Sequence, residues 1–143
     1  MTTKAYNAAR LALANGDIDW EAGSFYAILV DSDYAFSAAH TTYANVSGDE
    51  ITDDDYAPVE ITGASVALVD TDDVLYDCDN ISFGSNVSIN ASGGHLIILQ
   101  GSAASPAAGD ALVFAREMAD PSASTNSVFT VNTPNGIYRI NAA

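Results

Sequence analysis

The chain has 143 residues, 48% of them hydrophobic, which suits one domain with a single core and is too apolar for disorder. Nineteen Asp and Glu stand against only Lys4, Arg10, Arg116 and Arg139, a formal charge of −15. That balance argues against nucleic acid and anionic membrane surfaces as partners, since both are held largely through Lys and Arg, and it predicts high solubility with salt-screened self-repulsion.

Thr2 and Thr3 followed by Lys4–Ala14 predict a short helix, with a threonine as cap and Tyr6, Ala9 and Leu13 on one face. Asn15-Gly16 is its stop, and residues 1–16 read as a helical arm on a single domain spanning 1–143. Asp17–Trp20 starts a short extended piece. Phe25–Val30 is a strand by its aromatic and β-branched content. Tyr34–Asn45 has no clean period and reads as a loop with a turn of helix near Ala38–Tyr43. Val46–Ile51 is an acidic connection and Asp53–Asp55 a turn, while Pro58 assigns the next extended piece to a sheet edge, because proline cannot donate to a ladder. Ser65–Val69 and Val74–Cys78 are two strands about an Asp70–Asp73 hairpin turn.

Ile81–Phe83 and Val87–Ile89 alternate apolar and polar residues, as strands with one wet face do. Gly94–Gln100 and Ala111–Arg116 are nearly continuous apolar runs and belong in the middle of a sheet covered on both sides. A loop follows over Ala119–Asn126. Val128–Val131 and Ile137–Ile140 are short closing strands about the turn Thr133-Pro134-Asn135-Gly136. One helix and seven to nine short strands predict an all-β fold: a single antiparallel β-sandwich, jelly-roll-like, with a short N-terminal helix.

No apolar run approaches the roughly 18 residues of a membrane span. No secretory signal is visible either, so the chain is expected to stay in the cytoplasm where it is made. Cys78 is the sole cysteine, so an intrachain disulfide and a multi-cysteine zinc site are ruled out. Its acidic neighbours Asp77 and Asp79 would raise a thiol pKa, so it reads as a small half-buried strand residue.

Asp70, Asp72 and Asp73 alternate acids in a turn and are candidate Ca²⁺ ligands, although the Gly and terminal Glu of an EF-hand loop are missing and a solvated turn is the plainer reading. Paired carboxylates also suit glycoside hydrolysis, but here the acids fall in turns. His40 and His95 read as structural, and the Gly-x-Ser-x-Gly elbow of a serine hydrolase is missing. No catalytic residue, cofactor or enzyme activity is expected. Interface candidates are Tyr6 and Leu13 on the helix, and Tyr34, Phe36, Tyr43 and Tyr56 from the aperiodic aromatic region.

Several segments, in order, resemble a group of small tailed-bacteriophage virion structural proteins. Gly16-Asp17-Ile18-Asp19 leads to Ala27–Asp31, similar to the acidic-Ile-acidic opening and first strand of that group. Tyr76–Phe83 is similar to its aromatic, Asp-rich segment, although Phe83 stands where Trp is usual. His95–Leu99 and Asp110–Phe114 resemble its paired strands about a polar loop. Val128–Val131 and Gly136–Ile140 resemble its closing segments, although the closing Trp is missing after Thr130-Val131-Asn132. The resemblance implies a capsid decoration (cement) protein on the outer surface of the shell, stabilising it through the major capsid protein. It further implies a homo-oligomer, with a trimer favoured, assembled in the host cytoplasm and located in the virion. The alternative is a tail or fibre component or a carbohydrate-binding β-sandwich.

Overall fold

The computed structural model describes residues 2–85, 87–89, 94–118, 122–123 and 128–141. In chain order the elements are β1 (Thr3–Ala5), α1 (Asn7–Asn15), β2 (Phe25–Val30), two 3-10 turns at Tyr43–Asn45 and Ser47–Asp49, β3 (Val59–Glu60), β4 (Ser65–Val69), β5 (Asp73–Asp77), β6 (Ile81–Ser85), β7 (Ser88–Ile89), β8 (His95–Gln100), β9 (Ala111–Glu117), β10 (Ser122–Ala123), β11 (Val128–Val131) and β12 (Tyr138–Ile140). The fold is all-β with one short N-terminal helix. Its strands form antiparallel sheets: one of five strands in the order β1-β9-β8-β2-β3, one of three in the order β12-β5-β4, and the pairs β11-β6 and β10-β7. The predicted loop over Ala119–Asn126 lies, apart from Ser122 and Ala123, outside the described residues.

The two apolar runs become β8 and β9, inside the five-stranded sheet as their composition requires. All six residues of β2 are buried, as are Leu96–Leu99 of β8 and Leu112–Ala115 of β9. The outer edge of β2 is then a problem of backbone accounting, since buried N–H and C=O groups need partners. β3 covers only Tyr26 and Ala27, next to Pro58, which fits an edge strand. Further along, Leu29 N–H donates to the Tyr56 hydroxyl at 3.1 Å, Ile51 N–H to Leu29 O at 3.1 Å and Asp31 N–H to Asp49 O at 2.8 Å.

The five- and three-stranded sheets face each other across an aromatic layer. Trp20 lies at its centre, 4.7 Å from Phe25 and 5.4 Å from Phe114 between ring centroids, and its indole N–H donates to Asp77 O at 2.9 Å. Phe114 stacks on Tyr138 at 4.8 Å and leans on Tyr76 at 5.8 Å. An indole buried this deeply needs a partner for its N–H, and the β5 carbonyl supplies it. The pair β6–β11 adds Phe83 and Phe129, with Tyr56 stacked on Phe83 at 5.8 Å.

One expectation is corrected here. Residues 3–5 are an edge strand, not the first turn of a helix: Thr3, Lys4 and Ala5 pair with Arg116, Ala115 and Phe114. The open edge of β9 and the burial of Ala5 and Tyr6 outweigh local helix propensity. The helix therefore starts at Asn7, after Tyr6 and without a side-chain cap, so the N-terminus is built into the sheet where an arm was expected. Gly16 does end it, at φ 84°, in the left-handed region that glycine occupies without steric cost. The Thr133–Gly136 turn forms as expected, with Gly136 N–H donating to Thr133 O at 3.1 Å, and its flanking strands lie in different sheets. Thr133 is buried and donates through Oγ1 to Cys78 O at 2.7 Å, so β11 stays on β6 while β12 crosses to β5.

Candidate functional site

The expected interface residues divide sharply. Tyr6 is fully buried and Tyr34 nearly so, their hydroxyls 2.8 Å apart. Neither presents a surface to a partner, which corrects the expectation for these two: an aromatic with an internal partner for its hydroxyl can be enclosed completely. Leu13, Phe36, Tyr43 and Tyr56 are half-buried, packed against the core with part of each side chain in solvent.

The same region brings both histidines together. His40 Nδ1 lies 3.4 Å from the Tyr34 hydroxyl, and the His95 ring meets Tyr34 edge-on at 5.3 Å. Tyr6 packs on Phe36 at 5.2 Å, and the Lys4 ammonium sits 5.1 Å above the Phe36 ring. Burial first, then the bond to Tyr34, pushes the Tyr6 phenol pKa far up. This cluster fastens the segment after β2 to the N-terminus, and Asn7 N–H donating to Ala38 O at 2.9 Å completes the attachment.

Tyr43 and Tyr56 converge on Glu50 from either side, donating to Oε2 at 2.5 Å and to Oε1 at 2.6 Å. Burial, followed by the bond to Glu50 and its charge, pushes the Tyr43 pKa up to about 12 and that of Tyr56 further in the same direction. Nearby, Tyr26 donates to Asp110 Oδ2 at 2.8 Å. Glu50 also lines a shallow cleft of about 190 Å³ beside β2, together with Asp31, Asp33, Asp49 and Asp53. The sequence predicts these acids in separate turns. Their convergence depends on the bridge between Val30 and Glu50, which nothing local announces.

The Asp70–Asp73 hairpin forms as expected, with Asp70 and Thr71 at positive φ. Asp70 and Asp73 both accept from the Arg139 guanidinium. An arginine thus stands where a Ca²⁺ ion was the candidate occupant, and Asp72 joins no metal-ligand cluster among the described residues. Cys78 is buried, and its thiol pKa is pushed up to about 12 by that burial and then by Asp77 and Asp79, so it is a poor nucleophile at neutral pH.

The three-stranded sheet carries a different kind of surface. Its register sets Val66, Tyr76 and Tyr138 in one row and Leu68, Val74 and Ile140 in the next, on the same face. The first row reaches the aromatic layer through its tyrosines. The second overhangs it: Leu68 is 68% and Ile140 47% exposed. Between this ledge and α1 lies an apolar recess of about 170 Å³ lined by Arg10, Leu13, Ala14, Tyr76, Tyr138 and Ile140. On the other side of Tyr138 a groove of about 350 Å³ runs between β1 and β12, lined by Thr2, Thr3, Arg116, Asn135–Ile137 and Arg139. Among the described residues no helix is long and apolar enough to cross a membrane.

No protein-family model, curated protein or solved structure matches this chain.

Proposed function

We propose that this chain is a structural component of a bacteriophage particle, a decoration protein that docks on the outer surface of the shell and stabilises it through the major capsid protein. The observation that carries this reading is the apolar ledge Leu68–Val74–Ile140 beside the recess at Leu13 and Tyr138. Contiguous apolar surface on an otherwise very acidic protein is suited to a macromolecular contact. The ordered resemblance from Gly16 to Ile140 gives that contact its class. The chain's role is one of binding, and no residue is assigned to catalysis. Many copies, each with a modest contact, would reinforce a shell through multivalency.

The test is particle location and strength. Imaging of the particle should trace this chain on the outside of the head, and particles stripped of it should lose heat resistance. Stripped heads as resistant as complete ones would overturn the reading, and antibody labelling of the tail would replace it with a tail or fibre role.

A further inference from the structure

Strand β4, Ser65–Val69, holds no charge and no proline, and among the described residues no strand covers its outer edge. Ser65, Val66, Ala67 and Leu68 are all exposed. Such an edge is an open template for another strand, and folded chains normally shorten, charge or cover it. The direction of its backbone groups follows from two bonds. Val66 N–H reaches the Glu21 carboxylate at 3.1 Å, so Val66 turns outwards while Ser65, Ala67 and Val69 turn towards β5. Tyr76, opposite Val66, agrees: its carbonyl accepts from Ile137 N–H at 2.8 Å, on the side away from β4. Alternation along the strand then turns Leu68 N–H and C=O outwards as well.

Both ends of this edge are acidic. Glu21 sits at the Val66 end. The hairpin tip at the other end carries Asp72, which is exposed, and Asp70, whose side chain is 73% exposed even while it holds Arg139. A second copy fits this edge poorly. Paired antiparallel, each copy sets its Glu21 against the other's Asp70 and Asp72. Paired parallel, Glu21 meets Glu21 and tip meets tip. Like charges face each other either way, in a chain of net charge −15.

We propose that β4 takes up an extended segment of a different protein, about five to seven residues long, with apolar side chains two apart in its middle and Lys or Arg at its ends. Its backbone bonds to Leu68 and takes over Val66 N–H from Glu21, which frees that carboxylate for the incoming cation. Side chains opposite Val66 and Leu68 continue the rows Val66–Tyr76–Tyr138 and Leu68–Val74–Ile140, so alternate residues of the segment must be apolar. Backbone bonding holds any strand, and the flanking carboxylates select a cationic one. The inference rests on the reading of this sheet as a docking surface and names the chemistry of what docks. The two fail separately: a chain found on the head with β4 open to solvent would keep the decoration role and overturn this inference.

The probe is a library of random nine-residue peptides, displayed on yeast and sorted for binding to the whole folded chain. Enriched sequences should alternate apolar residues between Lys or Arg at the ends. A synthetic copy of one should slow hydrogen exchange at Leu68. It should bind roughly tenfold or more weakly when its end cations are replaced by Glu, and Glu21→Lys should diminish or reverse that preference. Leu68→Pro deletes an outward donor and leaves the bonds to β5 in place, a position where an edge strand tolerates proline, so it should fold and lose binding. Circular dichroism establishes that each variant is folded before it is compared. Absence of enrichment, enriched peptides without cations, protection confined to residues outside β4, or a folded Leu68→Pro chain that still binds would each overturn the proposal. So would exchange at Leu68 that slows with concentration in the chain alone, the mark of a second copy on this edge.

Discussion

Strands β2 and β4 are both rich in apolar residues and end in opposite environments. Phe25–Val30 is buried at every position, whereas in β4 the side chains of Ser65, Val66, Ala67 and Leu68 are all exposed. The difference lies in what covers each strand. Strand β2 has neighbours on both edges, and residues 49–51 seal the part that β3 does not reach. Strand β4 ends its sheet, and one of its edge donors, Val66 N–H, is covered by the Glu21 carboxylate at 3.1 Å. A carboxylate at that position blunts the edge against indiscriminate pairing. One strand is enclosed at the centre of its sheet, and the other leaves an exposed edge.

The comparison breaks most visibly at the core. Phe114→Ala removes the ring that touches Trp20, Tyr76 and Tyr138, and should cost about 3–5 kcal/mol in denaturant unfolding. A loss below about 1 kcal/mol would mean that the two sheets do not share this layer.

Glu50→Gln tests the seal on β2. It removes the charge that two tyrosine hydroxyls share, and should cost roughly 1–3 kcal/mol. The Tyr56 hydroxyl also accepts from Leu29 N–H, so hydrogen exchange at Leu29 should speed up more than at Ile97, which lies inside the sheet.

The buried tyrosines set a pH limit of definite sign. The phenol pKa values of Tyr6, Tyr26, Tyr43 and Tyr56 are all raised in the folded state, burial being the first cause in each. A raised folded pKa means that this stability is complete below the unfolded value near 10 and drains away as pH climbs towards the folded values. Tyr6 and Tyr26, both fully buried, should each contribute a loss of up to about 1.4 kcal/mol per pH unit above that point while they hold their protons. The melting temperature should therefore fall steeply above about pH 10. A flat profile from about pH 9 to 11 would show that these hydroxyls are not enclosed.

How much of this was legible in the sequence follows from where the information lies. β2, β8, β9 and the β4–β5 hairpin were readable because a buried run or a turn is a local property, carried by consecutive residues such as Ile97-Ile98-Leu99 or Asp70–Asp73. β1 was not, because Thr3–Ala5 is extended only through its pairing to Arg116, Ala115 and Phe114, at the far end of the chain. The same holds for the sites. Tyr43, Glu50 and Tyr56 are near in sequence, yet their convergence needs the edge of β2. His40 and His95 meet on Tyr34 only because β8 lies beside β2.

The smallest expected effect is the most discriminating. Leu68→Ala shortens a side chain that is 68% exposed, so in the isolated chain its cost should stay within about 0.5 kcal/mol, against the several of Phe114→Ala. Measured in dilute solution, that contrast fixes the ledge as surface. Repeated at high concentration, the same substitution reports on its use. If the ledge is covered by a second copy or a partner, Leu68→Ala should weaken assembly while leaving the dilute unfolding curve unmoved, since the lost methyl groups leave water only in the complex. Equal, small effects under both conditions would mean that the three-stranded sheet overhangs its core without serving a contact, and that the reading of this face as a docking surface is wrong.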